Sequence, residues 1–313
     1  MRKTPVLCVV GPTASGKTAL SLRLAHALGG EIVNMDSMQV YRRMDIGTAK
    51  PTPAEREHIL HHLLDIVEPT EPFSVAQYAH LAEQTIQAIY ARGVLPILTG
   101  GTGFYLKALT DGLSLGGVPS DPALRATLNA QASTPAGKQA LFERLQAVDA
   151  PSAARLHVND VQRVSRALEV YLLSGVPLSA QKSEAPPDRP FLFRLLATTL
   201  ERPRLYACAD ARVDAMLAHG LLEEVRTLLD SGVPAQAQAM QGIGYKELVP
   251  VVAGHTALEQ AVDTLKKNTR HYAKRQWTWF RAIEGTEWLD MERPESLSRA
   301  LRLGETFWEE QKP

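Results

Sequence analysis

Eight consecutive residues, Gly11, Pro12, Thr13, Ala14, Ser15, Gly16, Lys17 and Thr18, fit the pattern GxxxxGK[ST] completely. The glycines let backbone N–H groups wrap an anionic phosphate, and Lys17 supplies a point charge. The hydroxyl of Thr18 is suited to a magnesium ion bridging phosphate oxygens, and a helix starting here adds its positive end. Such a loop identifies a di- or triphosphate and leaves open what carries it. A carboxylate follows at Asp36-Ser37. On position alone three roles are open to Asp36: general base, magnesium ligand, or cap of the next turn. The segment GGTGFY (100–105) adds flexible backbone and the hydroxyl of Thr102, although a plain turn would also explain it.

These groups need a scaffold, and the hydrophobic pattern supplies one. PVLCVV (5–10), EIVNM (31–35) and VLPILT (94–99) read as buried strands. KTALSLRLAHAL (17–28) reads as an amphipathic helix stopped by Gly29-Gly30. A second helix runs from Val75 to Ala91, with Ser74 as its N-cap and Gly93 at its end. Strand and helix alternate, so the core should be a parallel sheet covered by helices, with the phosphate loop and Asp36 at its C-terminal edge, where α/β folds bind ligands. Breaker-rich stretches at 114–122 and 183–190 enclose about 60 residues of helical periodicity. FLFRLLATTL (191–200) then reads as a strand again, and the pattern from Pro203 to Arg281 is helical. The expectation is an α/β phosphate-loop core with an all-helical insertion and a helical C-terminal part, divided 1–117, 118–190 and 191–313.

Several classes are excluded. The chain has 313 residues, 45% hydrophobic and 22% charged, which is a globular composition. No apolar run approaches the ~18 residues of a membrane span, and the apolar run after the charged N-terminus is too short for a secretory signal, so we expect a cytoplasmic protein. Cys8 and Cys208 are isolated and read as small core residues, without zinc or disulfide. His58, His61 and His62 read as surface or helix-face histidines, and Glu223 with Glu224 as a solvated helix face. Nothing resembles a heptad, which favours a monomer. The 34 basic residues equal the 34 acidic ones, which argues against a nucleic-acid partner unless the charge is segregated. It is: KKNTRHYAKRQWTWFR (266–281) holds Lys266, Lys267, Arg270, Lys274, Arg275 and Arg281 and no acid, whereas 284–313 has eight acids to four basic residues. We expect that tail to counter the basic helix.

Six blocks, in order, resemble the tRNA dimethylallyltransferase family, the bacterial tRNA isopentenyltransferases. They are GPTASGKT (11–18), DSMQVYRRMDIGTAKP (36–51), GGTGFYLKAL (100–109), NDVQRVSRALEVY (159–171), QGIGYKE (241–247) and KRQWTWFR (274–281). The resemblance implies transfer of a dimethylallyl group from dimethylallyl diphosphate to the exocyclic amine of the adenosine 3′ of the anticodon in tRNA, with Mg2+ as cofactor and diphosphate released. It makes the phosphate loop the grip on the prenyl donor, with Lys17, Thr18 and Arg212 at its diphosphate, and it moves Asp36 towards the general base. It implies tRNA contact at Asp36, Ser37, Met38, Gln39 and Thr102, and at Asn159, Asp160, Val161, Gln162 and Arg163 with Arg155 and Arg166 nearby. It implies the same for Gln241, Gly242, Ile243, Gly244, Tyr245 and Lys246, and for Lys274, Arg275, Gln276, Trp277, Thr278, Trp279, Phe280 and Arg281. Taken from the residues alone, Arg212 reads as a solvated helix position, and Asn159 or Asp160 as a helix cap. Three other readings compete: an adenylate isopentenyltransferase acting on a free nucleotide, a small-metabolite kinase, and a non-catalytic RNA-binding module.

Overall fold

The computed structural model describes residues 3–111, 118, 120–181 and 190–312. Strand β1 (Thr4–Val10) runs into the phosphate loop and then helix α1 (Lys17–Leu28). There follow β2 (Glu31–Asn34), a two-residue strand β3 (His61–His62), α2 (Val75–Ala91), β4 (Pro96–Thr99) and α3 (Gly103–Asp111). Next come α4 (Pro122–Gln131), α5 (Pro135–Val148), α6 (Ala150–Ala153) and α7 (Val161–Ser174). The sheet resumes at β5 (Phe191–Thr199). The remainder holds α8 (Arg202–Ala218), α9 (Leu221–Asp230), α10 (Tyr245–Val252), α11 (Leu258–Arg281), β6 (Glu287–Asp290) and α12 (Glu295–Gln311). The chain divides into two compact units, Met1–Thr110 with Arg189–Pro313, and Asp111–Asp188.

The larger unit is built on a parallel sheet in the order β3-β2-β4-β1-β5-β6. Strand β1 lies inside it, and its apolar run is buried on both faces, as parallel strands require. Val6, Cys8 and Val10 point to one face, where Tyr78 and Ile86 of α2 and Leu106 of α3 cover them. Leu7 and Val9 point to the other, against Leu20 and Leu24 of α1 and Ala300 and Phe307 of α12. Ser74 caps α2 in a reciprocal box: its Oγ accepts the Gln77 N–H, and the Gln77 side chain accepts the Ser74 N–H.

The stretch 203–281 is helical as expected, and beyond it one strand not foreseen, β6, pairs with β5 as the sixth of the sheet. Two expectations need correction. His61 and His62 form the edge strand β3, and His62 Nε2 lies 2.7 Å from Glu31 of β2, which Arg92 also grips at 2.8 and 2.6 Å. Cys8 is in the core, but Cys208 is only half-buried. The breaker-rich stretches fall mostly outside the described residues, at 114–117, 119 and 183–189.

The smaller unit is helical throughout its described residues, with Leu128, Leu141, Leu145, Val164 and Leu168 as its core. Among its described residues two acids are enclosed, Asp149, which caps α6, and Glu169 of α7. Glu169 accepts from Arg125 at 2.5 Å, Arg166 at 2.7 Å, the Asp121 N–H at 2.8 Å and the Ser120 hydroxyl at 3.2 Å. Arg166 is thereby tied to Glu169 and is not a free basic residue for RNA. Burial pushes the Glu169 carboxyl up, but Arg166, Arg125 and the Asp121 N–H outweigh it and hold it below the usual glutamate range. A carboxyl depressed in the folded state stabilises it above the unfolded pKa, and that contribution disappears as pH falls through the folded value. Glu169→Gln should therefore lower the protection of α4 and α7 amides at pH 7 by about 2 kcal/mol. Hydrogen exchange should show the difference shrinking as pH drops below about 4.3.

Candidate active site

The phosphate loop leaves β1 at Val10 and enters α1 at Lys17. Its interior is braced by Ser15, whose Oγ donates to the Pro12 carbonyl at 2.7 Å and meets Thr198 Oγ1 of β5 at 2.5 Å. Lys17 Nζ folds back to the Pro12 carbonyl at 2.7 Å. Ala14, at φ 63, holds the left-handed conformation that a non-glycine residue adopts only under constraint. Arg212 of α8 reaches Thr13 Oγ1 at 3.2 Å. The Thr13 N–H donates to Gln276 Oε1 of α11 at 2.7 Å, and Gln276 Nε2 donates to the Gly101 carbonyl at 3.0 Å. That second contact explains Gly101: a Cβ there would stand 2.0 Å from Gln276 Nε2.

Asp36 lies just beyond β2. Its Oδ1 accepts the N–H of Met38 at 2.8 Å and of Gln39 at 3.4 Å, so it does cap the following turn. Its Oδ2 has no hydrogen-bond partner among the described residues, which leaves one oxygen for chemistry. The segment is anchored from several sides. Asn34 Oδ1 accepts the Asp36 N–H, Thr102 Oγ1 accepts the Ser37 N–H at 3.0 Å, and the Thr102 N–H donates to the Met35 carbonyl. Tyr78 donates to the Asn34 carbonyl at 3.0 Å and stacks on Tyr105 at 3.7 Å.

Both groups open into one cavity of about 290 Å³, lined among others by Thr13, Lys17, Thr18, Asp36, Arg212 and Tyr272. Burial, then the charge of Arg212, push the Lys17 ammonium down to about 7, while Asp36 opposes them. Burial also lowers Arg212, again against Asp36. Tyr272 is raised by burial and by Asp36, against hydrogen bonds with Thr102 and Gln276, so it stays a neutral phenol beside the carboxylate. Two cations, a carboxylate with one free oxygen and a phosphate-binding loop thus share one cavity.

The sequence profile of IPP transferase matches residues 39–283. The tRNA dimethylallyltransferase of Roseiflexus castenholzii is 50% identical over 296 residues, covering 95% of this chain and 96% of its own. That of Geobacillus thermodenitrificans is 48% identical over 302 residues, covering 96% and 95%. Among solved structures, the tRNA isopentenylpyrophosphate transferase of Bacillus halodurans superposes with a TM-score of 0.74 at 41% identity, over 99% of this chain and 98% of that one. A eukaryotic dimethylallyltransferase acting on tRNA gives 0.81 at 29% identity, over 99% and 80%. The chain belongs to the IPP transferase family.

Of the family blocks, several residues turn inward. In KRQWTWFR, Gln276 and Phe280 are buried, Trp277 and Trp279 are half-buried, and Lys274, Arg275, Thr278 and Arg281 are exposed. In QGIGYKE only Gln241 and Lys246 are exposed, whereas Tyr245 is completely enclosed. Phe280 and Tyr245 pack the core and have no surface to offer RNA, which corrects the expectation for those two, whereas Gln276 lines the cavity of Lys17 and Asp36. Asn159, Gln162 and Arg163 are exposed at the start of α7, where the Asp160 side chain caps the helix by accepting the Arg163 N–H. Gln39 donates to the carbonyls of Thr48 and Ala49 at 3.1 and 3.2 Å, closing the loop that forms one cavity wall.

Glu224 is the largest surprise. It is no solvated helix position: its carboxylate accepts the N–H groups of Asp45, Ile46 and Gly47 at 2.9, 2.8 and 3.0 Å and the Tyr245 hydroxyl at 2.6 Å. The Tyr245 ring lies so close to Gly47 that a Cβ there would stand 2.6 Å from it. The blocks IGTAK (46–50) and QGIGYKE therefore meet at one carboxylate. Lys50, with its side chain 3% exposed, secures the same loop through Asp45 and Asp65 at 2.7 and 2.6 Å. Glu224→Gln retains the shape but weakens charge-assisted acceptance from three backbone donors. Amide exchange at residues 45–47 should accelerate by the equivalent of about 2 kcal/mol. Unchanged protection at those amides would show that the loop holds without the clamp.

Proposed function

We propose that the chain transfers a dimethylallyl group from dimethylallyl diphosphate to the exocyclic amine of the adenosine 3′-adjacent to the anticodon in tRNA, releasing diphosphate. The observation that carries this reading is that the phosphate loop and Asp36 open into one cavity. A leaving group and a proton acceptor are both needed there. The amine nitrogen attacks the allylic carbon, its C–N bond forms as the C–O bond breaks, and the bonding pair leaves with diphosphate. The loop N–H groups, Lys17 and Arg212 stabilise the charge that develops on that leaving group. An adenine amine is a weak nucleophile because its lone pair is delocalised into the ring. The free Oδ2 of Asp36 orients its N–H and takes the proton as the bond forms. Thr102 keeps Asp36 in place through Ser37, and the target base must leave its stack to reach the cavity.

Magnesium fits this site. The Thr18 hydroxyl lines the cavity without a partner among the described residues, and an all-oxygen set of one protein hydroxyl, diphosphate oxygens and water suits Mg2+. When bound it would neutralise charge on the leaving diphosphate. Among the described residues no group of three or more His, Cys, Asp or Glu could hold a metal, so the donor would bring most of the ligands. We further propose RNA contact at the exposed residues of 159–163, at Gln241 and Lys246, and on the outer face of 274–281. A single copy carries the loop and the carboxylate, which supports action as a monomer. Among the described residues no helix is long and apolar enough to cross a membrane, consistent with action in the cytoplasm.

The deciding assay offers labelled dimethylallyl diphosphate with unmodified tRNA or with AMP. Label is expected on tRNA alone; label on AMP, or on neither with ATP consumed instead, overturns the reading. Asp36→Asn should leave tRNA binding within about twofold while single-turnover transfer falls at least ~100-fold. Lys17 gives a pH test. Free, it is mostly neutral at pH 8, and a bound diphosphate would return it to the charged form. Calorimetry of inorganic diphosphate in buffers of different ionisation enthalpy should therefore show uptake approaching one proton at pH 8, with affinity falling as pH rises above 7. Lys17→Ala should abolish the uptake.

A further inference from the structure

A second cavity, of about 580 Å³, opens between the first turns of α8, the outer face of α11 and the ends of β5 and β6. Three aromatic residues line it, Tyr206, Trp277 and Trp288, and three cations, Arg202, Lys274 and Arg281, with no carboxylate in its wall. None of the three cations makes an ion pair among the described residues. Their neighbours do: Arg194 pairs with Glu287, Arg204 with Glu292, Lys266 with Asp214 and Arg270 with Asp210. The guanidinium groups lie on the rings instead, Arg202 at 5.3 Å over Tyr206 and Arg281 at 4.8 Å over Trp277. A chain with balanced charge that pairs several neighbouring cations with acids leaves these three beside half-buried aromatic rings.

We propose that this cavity holds one unstacked nucleotide of the RNA acceptor, other than the adenosine that is modified. The chemistry matches in both halves. Aromatic faces and guanidinium planes stack a splayed-out base, and unpaired cations take the phosphates beside it. The volume falls in the range of sites that bury a ligand of nucleotide size. Arg202 and Arg212 stand ten residues apart on α8, so the two cavities are separated by roughly 15 Å along one rigid helix. One strand can therefore occupy both, and the second grip fixes the register in which the target base is presented. Lys274, Trp277, Thr278 and Arg281 belong to the block KRQWTWFR, whereas Arg202, Tyr206 and Trp288 lie outside every family block, so the sequence marked one wall of this site and not the other.

The proposal rests on the tRNA reading above, and its test separates the two. Arg202→Ala and Tyr206→Ala are compared with the wild type for binding a synthetic anticodon stem-loop RNA, with inorganic diphosphate as the probe of the first cavity and AMP as a free nucleotide. Arg202 is exposed, so its truncation leaves the packing intact. The stem-loop Kd should rise ~10-fold in each variant, and the salt dependence should weaken by about one phosphate contact for Arg202→Ala. Diphosphate binding should not change. Wild type that binds and prenylates the stem-loop while both variants bind it equally well overturns this proposal alone. Wild type that binds no stem-loop overturns it together with the function. Loss of AMP binding in the variants, with RNA binding intact, reassigns the cavity to a free nucleotide and overturns it as well.

Discussion

One carboxamide joins the two halves of the catalytic cavity. Gln276 accepts from the phosphate loop at Thr13 and donates to the turn at Gly101, so it must be acceptor and donor at once. A glutamate could not donate to Gly101 and a leucine could do neither, while an exposed side chain would not stay fixed; Gln276 is 5% exposed. The turn it holds carries Thr102, whose backbone N–H donates to Met35 and whose hydroxyl accepts from Ser37 on either side of Asp36. The spacing between leaving-group site and carboxylate thus descends from a side chain on α11. Pre-organisation of this kind is what electrostatic catalysis requires, because donors already in place need no reorganisation at the moment of reaction.

This brace also marks how far the sequence could be read. The phosphate loop was legible because its function lies in contiguous backbone, and α1 and α2 because their periodicity and end signals agree; their bounds match the structure. Strand β3 was not, since two residues carry no period, and β6 was overshadowed by the charges around it. Gln276 was read with the rest of its block as a tRNA contact, and its bracing role was not legible because its partner at Thr13 lies 263 positions away. Glu224 was misread for the same reason. Its helical position says solvent, and only the fold reveals three backbone donors some 180 positions upstream that need an acceptor.

Charge followed a different logic from the one composition suggested. The basic run 266–281 was expected to be countered by the acidic tail, yet Lys266 and Arg270 pair with Asp214 and Asp210 of α8. The tail acids serve other partners: Glu287 holds Arg194 and Arg299, and Glu292 holds Arg204. The neutralisation is local, pair by pair, and most of these pairs are exposed enough to contribute little to stability. Their effect is selective. By removing some cations from the general field they concentrate the proposed RNA affinity where cations stay without an ion pair among the described residues, as at Lys274, Arg275 and Arg281 of α11, so that a chain of zero net charge can hold a polyanion at one face without attracting it everywhere.

The same economy operates inside the catalytic cavity during the proposed transfer. Before reaction, Asp36 attracts both Lys17 and Arg212, and it is the influence that opposes their loss of charge on burial. When Asp36 takes the proton of the adenine amine, its negative charge is cancelled. At that moment the departing diphosphate gains the electron pair of the broken C–O bond and needs those two cations most. Proton transfer and leaving-group stabilisation are therefore coupled by Coulomb interaction across the shared cavity. Separating the carboxylate from the cations would forfeit that coupling even if each group kept its own substrate contact, and this is why the braces through Gln276 and Thr102 belong to the chemistry as much as the groups that touch the reacting atoms.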